Sequence, residues 1–168
     1  MATLILMRHA NAEFATPGMR DFERPLSAAG WAEANSAAIL LKATGITPSK
    51  TVCSPARRTT ETLDGLRKTI DIVASTIEFH PELYSGDAGS YQKILPMLKP
   101  NDTCLFVGHN PMIEHFALHL AQSGQETDLK HLKMGFPTAA IAVFELVKFP
   151  VRPDAKGTLT HFLNPKSL

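Results

Sequence analysis

Short uninterrupted apolar runs punctuate the chain at Leu4-Ile5-Leu6-Met7, Thr51-Val52-Cys53, Thr103-Cys104-Leu105-Phe106-Val107 and Ala139 to Val147. A continuous run of this length marks a strand buried on both faces, where no position need be polar. Between the runs the apolar residues take helical spacing. Ser27 is suited to an N-cap and opens an Ala-rich helix carrying Trp31, Ile39, Leu40 and Leu41, which Gly45 stops. Ser54-Pro55 opens a second helix, with Ser as cap, Pro at the first helical position, and Leu63, Leu66 and Ile70 facing inward. Thr76 to Phe79 predicts a strand and His80 to Gly89 a loop. Tyr91, Ile94, Leu95 and Leu98 predict a helix that Pro96 ends early or kinks. Asn110-Pro111 repeats the cap-plus-proline device and begins a helix reaching about Ala121. Residues 122–138 are polar and read as loop, Lys148 to Gly157 as a turn region, and Thr158 to Phe162 as an edge-like strand.

Strands alternating with helices require right-handed crossovers, so the predicted fold is α/β: a three-layer α/β/α sandwich with a mainly parallel central sheet. Pairing of the last two strands as a hairpin would make that sheet mixed. A length of 168 residues without repeat or linker predicts one domain over residues 1–168. A hydrophobic share of 44% with 20% charged residues is that of an ordinary globular protein, and a net charge of +1 argues against a general nucleic-acid binder. No apolar run reaches membrane-span length, and Arg8 and His9 interrupt the first one, so a secretory signal is not expected. Cys53 and Cys104 are too few for a disulfide framework and lack metal-site spacing. Reduced core thiols and a cytoplasmic home are expected.

The candidate chemistry lies where the apolar runs end. Arg8 and His9 follow the first strand, Arg58 lies in the first turn after the second, and His109 follows the fourth. Open α/β sheets bind ligands at the carboxyl ends of their strands, and helix N-termini there favour anions. Two arginines and two imidazoles converging on that edge suit a phosphate. Taken singly each piece has a plainer explanation: Ser-Pro and Asn-Pro as caps, one of Arg57 and Arg58 as solvated surface, His109 as a structural histidine. His115 and His119, at i and i+4, could chelate a metal but have no convincing third ligand and read as a surface pair.

Arg8-His9-Ala10, the segment Ser54-Pro55-Ala56-Arg57-Arg58 with Glu61-Thr62, and Val107-Gly108-His109-Asn110-Pro111, in this order, resemble the signature of the histidine phosphatase superfamily, the phosphoglycerate-mutase-like fold. The small size, the Ala after Arg-His and Arg24-Pro25-Leu26-Ser27 are similar to the compact SixA-like branch of protein phosphohistidine phosphatases. The resemblance implies His9 as nucleophile, with Arg8, Arg58 and His109 as catalytic residues that also bind the phosphate, and Arg24 and Asn110 as further substrate-binding candidates. It implies a metal-independent phosphatase without cofactor. Its partner would be a phosphorylated protein or a small phosphorylated metabolite, not nucleic acid or membrane, and the chain a monomer or weak dimer.

The leaving group decides between substrates. An alkoxide wants a general acid, and Glu82 in Pro81-Glu82-Leu83-Tyr84-Ser85-Gly86 resembles the acid of the mutase and small-molecule phosphatase branches. It can equally be a surface glutamate, and Asp87 is a poorer candidate. A departing imidazole needs no such acid. The leading expectation is a phosphohistidine phosphatase. The alternatives are a phosphomonoesterase or mutase using Glu82, and a non-catalytic phosphate-binding module. A dinucleotide-binding protein is set aside, because no glycine-rich fingerprint follows the first strand.

Overall fold

The structure, a computed structural model, describes residues 1–167. Its elements run β1 (Ala2–Arg8), α1 (Ala28–Ala43), β2 (Lys50–Cys53), α2 (Arg57–Arg67), β3 (Ile77–Phe79), α3 (Glu82–Ser85), α4 (Ala88–Gln92), β4 (Thr103–Gly108), α5 (Met112–Leu120), β5 (Ala121–Gly124), α6 (Glu126–Met134), β6 (Ile141–Leu146) and β7 (Gly157–Leu163). The strands form one seven-stranded sheet in the order β3-β2-β4-β1-β6-β7-β5. The four strands β1 to β4 are mutually parallel, and β6 joins antiparallel to both β1 and β7. The sheet is therefore mixed, with β1 at its centre, where the parallel block β3-β2-β4-β1 meets antiparallel β6.

Alternate residues of β1 serve two different cores, which is why its run is apolar throughout. Leu4 and Leu6 join Phe106, Phe144, Tyr91 and Phe116 on the face covered by α4 and α5. Ile5 and Met7 join Leu105, Val107, Val143 and the inner faces of α1 and α2. Those two helices meet through small residues. A Cβ added to Gly65 would lie 2.8 Å from that of Ala34, so the close approach depends on the missing side chain. Ser27 caps α1 by accepting a hydrogen bond from the Gly30 N–H at 3.0 Å. Gly45, at φ +76°, supplies the left-handed residue just past the helix end.

Several sequence expectations are corrected. Residues 122–138 hold β5 and α6 rather than loop. α6 buries fully only Leu132, so it offers little apolar periodicity, while its early Glu126 and Asp128 and late His131 and Lys133 complement the helix dipole. β5 is polar, as a strand at a sheet edge can be, and it displaces β7 from that edge. The strand expected from Ala139 begins at Ile141, because Ala139 takes φ +60°. The expected loop from His80 contains the single turn α3. Pro96 does end its helix early: α4 stops at Gln92 and a 3-10 turn, Leu95–Met97, follows. Among the described residues no helix is long and apolar enough to cross a membrane.

Both cysteines are free and fully buried. Burial pushes the Cys104 thiol up to about 12 and raises that of Cys53 as well. Buried thiols held protonated are inert. Neither should react with a soluble thiol reagent in the native protein, and both should appear when guanidinium unfolds it. Stoichiometric labelling of the native protein within minutes would contradict the packing described.

Candidate functional site

The carboxyl ends of β1, β2 and β4 are stitched together by the main chain. β1 and β4 pair in register up to Arg8 opposite Gly108, and β2 reaches Cys53 opposite Val107. Beyond the strands, the His9 N–H donates to the Gly108 carbonyl and the Ser54 N–H to the Val107 carbonyl, each at 3.0 Å. These bonds bring His9, Ser54 and His109 to one edge of the sheet, with the His9 and His109 ring centroids 5.3 Å apart.

His9 is held in one tautomer. Its Nδ1 lies 2.7 Å from the Ala10 carbonyl, an acceptor only, so Nδ1 carries the proton and Nε2 keeps its lone pair. Burial pulls the imidazole down to about 4; the Ala10 carbonyl opposes this, while Arg58, Arg8 and Arg24 add to it. A neutral ring with a free Nε2 is a nucleophile.

Three partners surround it. Arg58 on α2 is buried, its side chain 8% exposed, whereas the adjacent Arg57 faces solvent and pairs with Glu61 at 2.8 Å. Arg58 donates from Nη1 to the Asp21 carbonyl at 2.8 Å and from Nη2 to Asp21 Oδ2 at 3.0 Å. Arg8 donates from Nη1 to the Phe136 carbonyl at 3.0 Å. Burial lowers the Arg8 guanidinium from its usual value, with Glu114 and Glu33 opposing. His109 places Nε2 at 2.7 Å from Ser54 Oγ, and its N–H donates to Tyr91 Oη at 3.1 Å. The Tyr91 hydroxyl donates in turn to the Leu83 carbonyl at 3.1 Å. It fits only because residue 108 is glycine: a Cβ there would stand 2.1 Å from Tyr91 Oη. Burial holds His109 down to about 3, with His9 and Arg58 contributing.

The remaining donors have no partner within the described protein. Arg8 Nε, Arg58 Nε and His109 Nδ1 are buried and unpaired. If Ser54 donates its hydroxyl proton to His109 Nε2, Nδ1 carries the ring's proton and is a donor too. Buried unpaired donors are costly in a folded protein. Donors fixed on two guanidinium groups and an imidazole, near a free histidine nitrogen, can chemically serve an oxyanion.

Other expected residues have partners of their own. Ser54 is not a helix cap: the cap position of α2 is Ala56, and Ser54 orients His109 instead. Pro55 accordingly precedes the cap. Asn110 is not a cap either, since Pro111 holds that position in α5. The Asn110 side-chain amide donates to Glu114 Oε2 at 3.1 Å and to the same Phe136 carbonyl at 2.9 Å. Arg24 braces the loop, donating to the Glu13 carbonyl at 2.8 Å and to Asp21 Oδ1 at 3.1 Å. Glu82 Oε1 lies 3.0 Å from His80 Nδ1, and its side chain is 50% exposed. Hydrogen bonding, chiefly from its own N–H, lowers its carboxyl below the ordinary value.

Sequence reasoning missed Asp21 and Tyr84. The Tyr84 hydroxyl donates to Asp21 Oδ2 at 2.9 Å, and its ring stands edge-on 5.6 Å from that of His109. Phe22 packs edge-to-face with Tyr84, ring centroids 5.0 Å apart. Asp21 opens a 3-10 turn, Asp21–Glu23, and Tyr84 lies in the single turn α3, both too short to show periodicity, and nothing in the sequence pairs positions 21 and 84. α2 and the first loop are fixed by Thr62, which accepts from the Ala10 N–H at 2.9 Å, and by Glu61, which accepts from the Leu26 N–H at 2.7 Å.

Two measurements check this geometry. In a histidine-labelled sample, His9 should show the Nδ1–H tautomer at pH 6 and titrate near pH 4 rather than 6.5. The sign for stability follows. His9 contributes fully above pH 6.5, and its contribution is lost as pH falls towards 4, because there the unfolded chain takes up a proton that the native state refuses. Tyr91→Phe should lower unfolding free energy in urea by ~1–3 kcal/mol, since it orphans the buried His109 N–H.

Comparison with known proteins gives the family. The sequence profile of the histidine phosphatase superfamily (branch 1) matches residues 4–99. An uncharacterized chloroplastic protein of Arabidopsis thaliana is 34% identical over 136 residues, covering 76% of this chain and 62% of its own length. The chain thus spans under two thirds of that relative. Among solved structures, the proposed phosphohistidine phosphatase SixA of Nakamurella multipartitia superposes with a TM-score of 0.82 at 27% identity, covering 98% of this chain and 96% of its own. That of Agrobacterium tumefaciens gives 0.80 at 29%, covering 97% and 98%. The chain belongs to the histidine phosphatase superfamily, and its structure is like those of SixA proteins.

Proposed function

We propose that this phosphatase removes phosphate from phosphohistidine on a protein, through a covalent phosphohistidine formed on His9. The observation that carries the reading is the lone pair of His9 Nε2 beside the unpaired donors of Arg8, Arg58 and His109. Phosphoryl transfer asks for positioning and for neutralised oxygens, and the two arginines bring permanent charge to them. His9 Nε2 attacks phosphorus in line, and the bond to the leaving group breaks with its electron pair. Water then attacks the phosphorus, the pair returns to Nε2, and inorganic phosphate departs. The arginines supply the charge that a divalent metal supplies elsewhere, so the step is proposed as metal-independent.

The choice of substrate rests on the leaving group and the rim. A phosphoester wants an acid, and Glu82 is engaged with His80 and kept ionised. The rim is open, with the Asp21 side chain 54% exposed, and suits a side chain presented by another protein. The SixA proteins of like structure are named as proposed phosphohistidine phosphatases, which favours the same substrate class here.

Brief incubation with a phosphohistidine protein should leave an acid-labile, alkali-stable label on His9, and His9→Ala should abolish both label and turnover. Turnover in His9→Ala would sink the reading. Glu82→Gln should leave turnover of the phosphohistidine protein within about twofold, whereas removal of a true general acid costs ~10²–10⁴-fold. A loss of that size on a phosphosugar would favour the phosphomonoesterase reading instead.

A further inference from the structure

We propose that Asp21 sets the substrate preference of the cradle, accepting the N–H of a protonated imidazole leaving group and turning away substrates that carry a second anion beside the phosphate. This rests on the proposed reaction at His9 and deepens it by naming what selects the leaving group.

The Asp21 carboxylate is an anion built into the rim of a cationic cradle. Oδ2 accepts from Arg58 Nη2 at 3.0 Å and from the Tyr84 hydroxyl at 2.9 Å, and Oδ1 accepts from Arg24 Nη1 at 3.1 Å. A carboxylate has about four lone-pair sites, and these donors leave one on Oδ1. The Asp21 side chain is 54% exposed beside the 8% exposed Arg58, so the carboxylate can be reached from solvent. Burial raises its carboxyl, but bonds from Arg24, Tyr84 and Arg58 outweigh this and hold it at about 2, so the charge persists across the working range. The Tyr84 ring walls the same corner, edge-on to His109 and 5.8 Å from the Arg58 guanidinium carbon.

For phosphates in general an anion beside Arg58 can do no more than position the guanidinium, at the cost of repelling the substrate's charge. For one leaving group it helps. A phosphohistidine protonated on its other ring nitrogen offers an N–H donor and a positive charge, and a fixed carboxylate stabilises that form. As His9 Nε2 bonds to phosphorus, the P–N bond breaks and its pair returns to the substrate imidazole. The proton on the far nitrogen stays in place against Asp21, so neutral imidazole departs and no general acid is required. A phosphorylated carboxylic acid would instead set its own carboxylate against Asp21.

The test measures kcat/KM for phosphoimidazole, p-nitrophenyl phosphate and 3-phosphoglycerate with the intact protein and with Asp21→Asn. Loss of a charged hydrogen bond predicts that the variant's phosphoimidazole to p-nitrophenyl phosphate ratio falls about tenfold or more. Its 3-phosphoglycerate to p-nitrophenyl phosphate ratio should rise by about tenfold. An equal fall on all three substrates would mean that Asp21 only braces Arg58, and would overturn the proposal. If the variant does not fold, inhibition of the unaltered protein decides: phosphoglycolate should bind about tenfold more weakly than inorganic phosphate, and equal or tighter binding overturns the assignment. Unaltered protein that hydrolyses p-nitrophenyl phosphate through His9 but leaves phosphoimidazole intact would overturn the phosphohistidine reading itself, whatever the variant does.

Discussion

The in-register parallel pairing of β1 with β4 is the constraint on which the site depends. It sets Arg8 opposite Gly108, so the residues that follow, His9 and His109, leave the sheet side by side. The bond from the His9 N–H to the Gly108 carbonyl fixes that exit, and the bond from Ser54 to Val107 adds the third chain end. A slip of one residue would turn every side chain of β1 to the opposite core. Because Leu4 and Leu6 serve one core while Ile5 and Met7 serve the other, the packing that stabilises the fold also holds the two imidazoles 5.3 Å apart.

Burial and charge act together on those rings. Desolvation keeps both neutral, and the neighbouring guanidinium groups reinforce it. The site therefore gathers positive charge on the arginines while keeping the histidines neutral, as the proposed roles of nucleophile and donor require. Hydrogen bonds then choose the nitrogen: the Ala10 carbonyl leaves His9 Nε2 bare, and Ser54 engages Nε2 of His109. Outer groups of this kind fix tautomer and ring orientation, as they do around metal-bound histidines.

Much of this was legible because strand ends are marked by where apolar runs stop. Leu4 to Met7 ends at Arg8, and Thr103 to Val107 ends before His109, so both the sheet and the candidate cluster could be read directly. Polar elements were not readable. β5 and α6 bury too little apolar surface to leave a period. The Ser-Pro and Asn-Pro pairs looked like caps because their local chemistry permits it. Only the tertiary approach of His109 to Ser54, and of Phe136 to Asn110, gave those side chains other partners. Asp21 and Tyr84, 63 positions apart, meet through single helical turns too short to carry a pattern.

Gly108 carries a consequence for how such a chain can diverge. The space beside its Cα is filled by the Tyr91 hydroxyl, which also answers the His109 amide. Even one added carbon at position 108 forces that oxygen out, and a smaller residue at position 91 abandons the amide unless something new reaches it. The two sites are thus coupled: a side chain at position 108 calls for a smaller residue at position 91, and the His109 amide then needs a new partner.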